Sequence, residues 1–199
     1  MTEKFATSLL DKLVNNSDLQ NDRIKYLKCK YALEFLILNI SKLFLVYLCS
    51  FLLGISLEVL IFHLSFMCIR IYGFGAHSHS NLYCTLVTLG LFTGIPLIIS
   101  QFLLVSKFTL GVFFLLNSII IFKYAPADAT GDHINDIDQK RLLRKRAMKL
   151  NIFLAMFSLL LPSLYFSNLI GTGAFFGSLM LLPLTNYLLN KNFKKRGSE

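Results

Sequence analysis

Charged residues are scarce in this chain, at 16 % of its 199 residues, where a soluble domain carries about a quarter. Acidic residues are scarcer still, with Asp+Glu 11 against Lys+Arg 20. Apolar residues reach 55 % and mean hydropathy is +0.61. That balance excludes a soluble domain, and it excludes a disordered chain, which is poor in apolar residues. Gly 11 is too few for collagen, and Cys 4 is too few for a disulfide scaffold. Cys29, Cys49, Cys68 and Cys84 form no CxxC pair, which removes the common zinc and redox spacings. Cys49 and Cys68 sit in apolar runs and read as buried packing residues. Residues 1–16 show neither a signal-peptide core nor a cleavage site, so the membrane runs are expected to direct insertion. No internal repeat or low-complexity tract is present. What remains is an all-α, polytopic integral membrane protein.

Residues 1–34 are mixed and polar. Phe5, Leu9, Leu10, Leu13 and Val14 recur at helical spacing there, opposite Lys4, Asp11, Lys12, Asn15 and Asn16. This reads as an amphipathic helix lying on a membrane surface or on the protein's own core. It forms an N-terminal interfacial segment, 1–34, ahead of a membrane-embedded domain, 35–199. Apolar runs follow near 35–54, 55–70, 82–101, 108–124, 149–167 and 169–190. A bilayer core about 30 Å thick takes about 20 helical residues, so six spans are expected, the second of them short. Lys42 and Glu58 are embedded in the first two runs and are expected to face a bundle interior or a polar cavity.

The bases behind the net charge of +9 cluster between the apolar runs, which points to membrane orientation and not to nucleic acid. Lys4, Lys12, Arg23, Lys25, Lys28 and Lys30 precede the first run. Lys140, Arg141, Arg144, Lys145, Arg146 and Lys149 follow the fourth, and Lys191, Lys194, Lys195 and Arg196 follow the last. All three segments, and therefore both termini, are expected on the cytoplasmic side. Six crossings satisfy that condition and put the 70–81 link on the same side. Residues 124–132 read as a loop by their Pro, Gly and Asp content. The basic stretch 137–149 reads as a helix suited to anionic lipid.

One polar link differs from the rest: Arg70-Ile71-Tyr72-Gly73-Phe74-Gly75-Ala76-His77-Ser78-His79-Ser80-Asn81-Leu82-Tyr83-Cys84. Ser80 or Asn81 would cap the following helix. Cys84 then lies at that helix's first turn, where the N-terminal partial charge favours a thiolate. A nearby imidazole would take the thiol proton. On one straight helix His77 and Cys84 would be about 10 Å apart in rise, so a pair requires a break near 78–81. Three readings stand on spacing alone: interfacial polar residues with a packed thiol, a thiol nucleophile with a histidine base, and a metal site of His77, His79 and Cys84.

Arg70, Gly75-Ala76-His77 and Cys84, together with Tyr124-Ala125-Pro126-Ala127 after the fourth run, resemble the accessory gene regulator B (AgrB) family. The pattern of runs, basic loop and basic tail is similar over nearly the whole chain. The resemblance implies a bacterial cell-membrane cysteine endopeptidase of quorum sensing. It would cleave an AgrD-type precursor peptide near its C-terminal side through a Cys84 thioester, and promote thiolactone cyclisation. By position Cys84 is the nucleophile and His77 the general base. Arg70 and Gly75 match positions needed for activity, Arg70 holding a carboxylate or acidic segment and Gly75 admitting substrate backbone. No third catalytic residue is evident; apart from the resemblance, Glu58 is a candidate orienter of His77. The resemblance implies no cofactor or metal, and it favours a homodimer. Departures are Phe74, where the family often has glycine, and Ser78, where alanine is common. Asp128, Gly131, Asp132 and Asp136 replace a basic stretch. The reading from another class is a non-enzymatic carrier or peptide-binding scaffold using Lys42, Glu58 and His63.

Overall fold

A computed structural model describes residue 7 and residues 23–75, 81–102, 105–127, 136–185 and 187. The amphipathic segment expected at 5–14 and the tail cations lie outside the described residues. Contacts divide the chain into two compact units, Met1–Cys49 and Ser50–Glu199. The division falls inside a helix, and not at the composition change near residue 34. Among the described residues the order is α1 (Arg23–Leu52), α2 (Ser56–Gly73), α3 (Asn81–Leu89), a π segment (Gly90–Gly94), α4 (Ile95–Gln101), α5 (Lys107–Tyr124), α6 (Ile137–Leu160) and α7 (Leu164–Leu179).

In the first unit, Lys30 and Glu34 pair one turn apart at 3.9 Å. Lys42 is half-exposed on the same helix. In the second unit α7 is the central helix and packs on α2, α5 and α6. Its composition explains this place. Gly171, Gly173, Ala174, Gly177 and Ser178 are all buried, and small side chains let neighbouring backbones approach. Gly173 and Gly177 are four residues apart and face α2. A Cβ on Gly173 would lie 2.5 Å from the Phe62 carbonyl oxygen, and one on Gly177 2.9 Å from that of Phe66. This small-xxx-small seam is typical of helix pairs in lipid. Gly173→Ala should force α2 and α7 apart and cost about 1–3 kcal/mol, read as a lower melting temperature in detergent; an unchanged melting temperature would contradict the seam.

The remaining buried positions carry an unusual share of polar groups. Asn168 clamps the chain before α5, accepting from Val105 N at 2.9 Å and donating to Val105 O at 3.0 Å. Ser158 and Ser167 exchange hydroxyl-to-carbonyl bonds at 3.0 and 2.7 Å. Asn151 donates to Ser118 Oγ at 2.9 Å, and Ser178 donates to Asn117 Oδ1 at 2.7 Å. Large apolar side chains point outward, among them Leu64, Ile71, Leu115, Ile119, Phe122, Phe153 and Leu160. Polar groups bonded inside and apolar groups outside is the arrangement a bilayer demands.

Among the described residues, four helices are long and apolar enough to cross a membrane: Cys29–Leu52, Ser56–Gly73, Leu82–Gln101 and Lys107–Tyr124. The chain is an all-helical membrane protein. The second run extends to Gly73 and reaches 18 residues, longer than its apolar letters imply. The third run widens into a π turn just before Pro96, since a proline has no N–H to return to the preceding turn. The fifth and sixth runs differ most from expectation. Pro162 ends α6 at Leu160, and α7 begins at Leu164 and stops at Leu179 with 16 residues. Lys107 closes that break by donating to the Leu159 and Leu161 carbonyls at 3.2 and 2.7 Å, an end-of-helix role for a cation. Cys49 and Cys68 are half-buried and not fully enclosed.

Candidate functional site

The helix ends at 73 because the next two residues leave helical space. Phe74 has φ 56° and ψ −133°, and its N–H still donates to Arg70 O at 2.9 Å. Gly75 follows at φ 125°. A bulky residue rarely adopts positive φ, at a cost of about 1–3 kcal/mol. At Gly75 glycine is required twice over, because a Cβ would also lie 2.7 Å from the Met180 carbonyl oxygen. Within the chain, the backbone that closely approaches Gly75 is that of Met180, just after α7.

Helix α3 begins at Asn81, so Cys84 is its fourth residue. Helix stops at Gly73, while residues 76–80, where a break between His77 and Cys84 is expected, lie outside the described residues. His77 and His79 fall in 76–80, outside the described residues, so the pairing of His77 with Cys84 and the three-ligand metal alternative both lie there. Cys84 is a free, half-exposed thiol. Arg70 lies within electrostatic reach of it. The Arg70 guanidinium also donates to the Gly75 carbonyl at 3.4 Å and stacks over the Phe66 ring at 5.6 Å. Three of the expected site residues, Arg70, Gly75 and Cys84, thus belong to one neighbourhood. Arg70 is held by contacts from its own turn, the Gly75 carbonyl and the Phe66 ring.

The second motif docks on the first. Ala127 N–H donates to the Gly73 carbonyl at 2.8 Å, and Phe74 and Ala127 form a short parallel bridge. Ala125 is 1 % exposed and joins the core with Ile69, Ile121, Ala147 and Leu181. Leu181 in turn covers Gly73, where a Cβ would lie 3.1 Å from it. Separation in sequence hid this meeting, and only the Met180–Leu181 and Arg144 contacts reveal what holds it. Arg146 stacks over Tyr72 at 5.7 Å, and Arg144 over Phe122 at 5.9 Å. These two arginines of the basic stretch are committed to the protein itself.

Glu58 is not brought to this end. It lies twelve residues before Arg70 on α2, about 18 Å of helical rise away, where its carboxylate accepts from the Tyr165 hydroxyl at 2.9 Å. His63 packs edge-on against Phe92 with ring centroids 4.7 Å apart.

Comparison with known proteins agrees with the motifs. A family model described as Accessory gene regulator B matches residues 6–181. An AgrB-like protein of Listeria monocytogenes serotype 4b (strain CLIP80459) is 31 % identical over 192 residues, covering 96 % of this chain and 93 % of its own. An AgrB-like protein of Clostridium acetobutylicum is 26 % identical over 197 residues, covering 96 % and 94 %. The accessory gene regulator protein B of Staphylococcus aureus (strain MRSA252) is 35 % identical over 126 residues, 63 % of each chain. No solved structure matches. A match that takes in both motifs and all the helices of the second unit makes this chain a member of the accessory gene regulator B family.

Proposed function

We propose that this membrane protein of the accessory gene regulator system is a cysteine endopeptidase that processes an AgrD-type signal precursor for quorum sensing. The observation that carries the reading is a half-exposed Cys84 in the first described turn of α3, within electrostatic reach of an Arg70 held by the Gly75 carbonyl. A thiol is a nucleophile only as thiolate, and a helix start with an adjacent guanidinium favours that form. His77 is the base that takes the proton as Cys84 Sγ attacks a precursor carbonyl carbon. The C–N bond breaks, the amine leaves with the proton from His77, and a thioester remains on Cys84. A thiol within the retained peptide then attacks that thioester and returns the Cys84 thiol. One thioester replaces another, so ring closure needs no further energy source. Water at this step would give the linear acid, which a partly apolar, interfacial site disfavours.

The precursor peptide and the bilayer are the partners of this reading, with a second copy of the chain added by the family resemblance. Both termini are cytoplasmic in it, as the basic segments require. Glu58 has no part in it, given its place at the other end of α2.

The pH profile of cleavage tests the base. His77 acts only when neutral, so the rate is expected to fall as pH drops through the histidine range near about 6.5. The measurement is kcat/KM on purified protein in lipid with a synthetic precursor peptide, in buffers with and without chelator. A rate flat across that range would sink the histidine base, and loss of activity with chelator would favour the metal alternative.

A further inference from the structure

Arg144 lies in the basic half of α6 but points into the protein. Its Nε–H donates to the Ala125 carbonyl at 2.8 Å while its guanidinium covers the Phe122 ring. Arginine suits both contacts at once, since it donates sideways from a flat, stackable head, and lysine does not. Ala125 is fully enclosed, so its carbonyl cannot turn to water if the donor is lost. Two residues on, Ala127 holds Gly73 and Phe74. Gly75 comes next, and its carbonyl accepts from Arg70. A continuous line of contacts therefore runs from α6 to the turn whose Gly75 carbonyl holds Arg70.

We propose that Arg144 is a positioning residue: through Ala125 and Ala127 it fixes the Gly73–Gly75 turn against which Arg70 and Cys84 are set. The inference rests on the peptidase reading of that site. A cation in a basic helix has a simpler use, the attraction of acidic peptide or anionic lipid. Arg141 provides the comparison, being three residues away on the same helix, exposed, and paired only loosely with Asp138 at 3.8 Å. Attraction treats the two arginines alike, and positioning does not.

The test uses the full chain in nanodiscs of fixed anionic lipid content, with Arg144→Gln, Arg144→Lys and Arg141→Gln. Steady-state cleavage of a synthetic precursor peptide gives kcat and KM, and hydrogen–deuterium exchange reports on 71–75 and 122–127. Arg144→Gln is expected to lower kcat about 10- to 100-fold, the scale of a misplaced site, with KM changed by less than about two-fold. Exchange around Gly73–Gly75 and Ala127 should quicken. Arg144→Lys should not restore kcat, and Arg141→Gln should alter neither readout. Equal effects of Arg141→Gln and Arg144→Gln, or an effect on KM alone that lysine rescues, would overturn the proposal. If Arg144→Gln does not fold, Ala127→Pro removes the donor to Gly73 from the other side. The same loss of kcat is then expected, and a normal kcat would overturn the proposal. Should wild-type protein cleave nothing, the peptidase reading fails, but exchange still decides the brace, and unchanged exchange in Arg144→Gln would refute it.

Discussion

Replacing Cys84 by alanine is expected to abolish precursor cleavage, by about four orders of magnitude or more, while the protein inserts and folds as before. The two halves of that expectation have separate causes. The thiol is the atom that attacks, and removal of a nucleophile leaves only binding and general polarity of the site. Stability should hold because Cys84 is half-exposed near a helix start and takes no part in the core around Ile69, Phe114 and Ala147. Substitution at such a place usually changes stability by less than about 1 kcal/mol. The measurement is cleavage by chromatography beside a melting curve in the same detergent. Cleavage near the wild-type rate in a folded Cys84→Ala protein would end the thiol mechanism.

Gly75→Ala is expected to have the next largest effect, and here stability and activity should fall together. Alanine at φ 125° is strained, and its Cβ would meet the Met180 carbonyl oxygen at 2.7 Å. Strain and overpacking together should cost on the order of 2–4 kcal/mol. A backbone carbonyl cannot step aside as a flexible side chain can. The turn at 73–75 must therefore shift, and with it the Gly75 carbonyl that holds Arg70. A melting temperature and a cleavage rate both within error of wild type would show that the close approach of Met180 carries no weight. By contrast the tight approach to Gly171 is the end of the flexible Leu110 side chain, with Phe114 at ordinary contact distance, and Gly171→Ala should be far milder.

Much of this architecture was legible in the residues, because it follows from local chemistry. Long apolar runs between basic segments gave the helical membrane class. The end of helix at Gly73 was readable from a glycine-bearing polar link, whose later residues 76–80 lie outside the described residues. Proline was less well read. Pro96 produces a π turn inside one run, and Pro162 cuts another into α6 and α7. An apolar count does not distinguish these outcomes. The Gly173-Ala174-Phe175-Phe176-Gly177 spacing is a small-xxx-small pattern legible in the residues alone. It marks the face on which α7 meets α2.

What was not legible depends on contacts distant in sequence. Gly75 announces a close approach without naming Met180 as the approaching group. Tyr124–Ala127 matches a family pattern without revealing that it docks on Gly73 and Phe74. Arg144 and Arg146 look like any other cations of a basic stretch until their aromatic and carbonyl partners are seen. Glu58 looked close to the site along the chain, but a straight helix carries it to the opposite end. Charge and hydropathy are sums over a segment, whereas these roles belong to single atoms.

The most direct test of the account is intact mass spectrometry of the purified protein in lipid, incubated with its precursor peptide and sampled over time. The account predicts a transient adduct on Cys84 equal in mass to the N-terminal part of the precursor. It should be absent in Cys84→Ala, and it should decay to free enzyme as a cyclic, dehydrated product appears. Cleavage that proceeds without any adduct, and survives in Cys84→Ala, would contradict it.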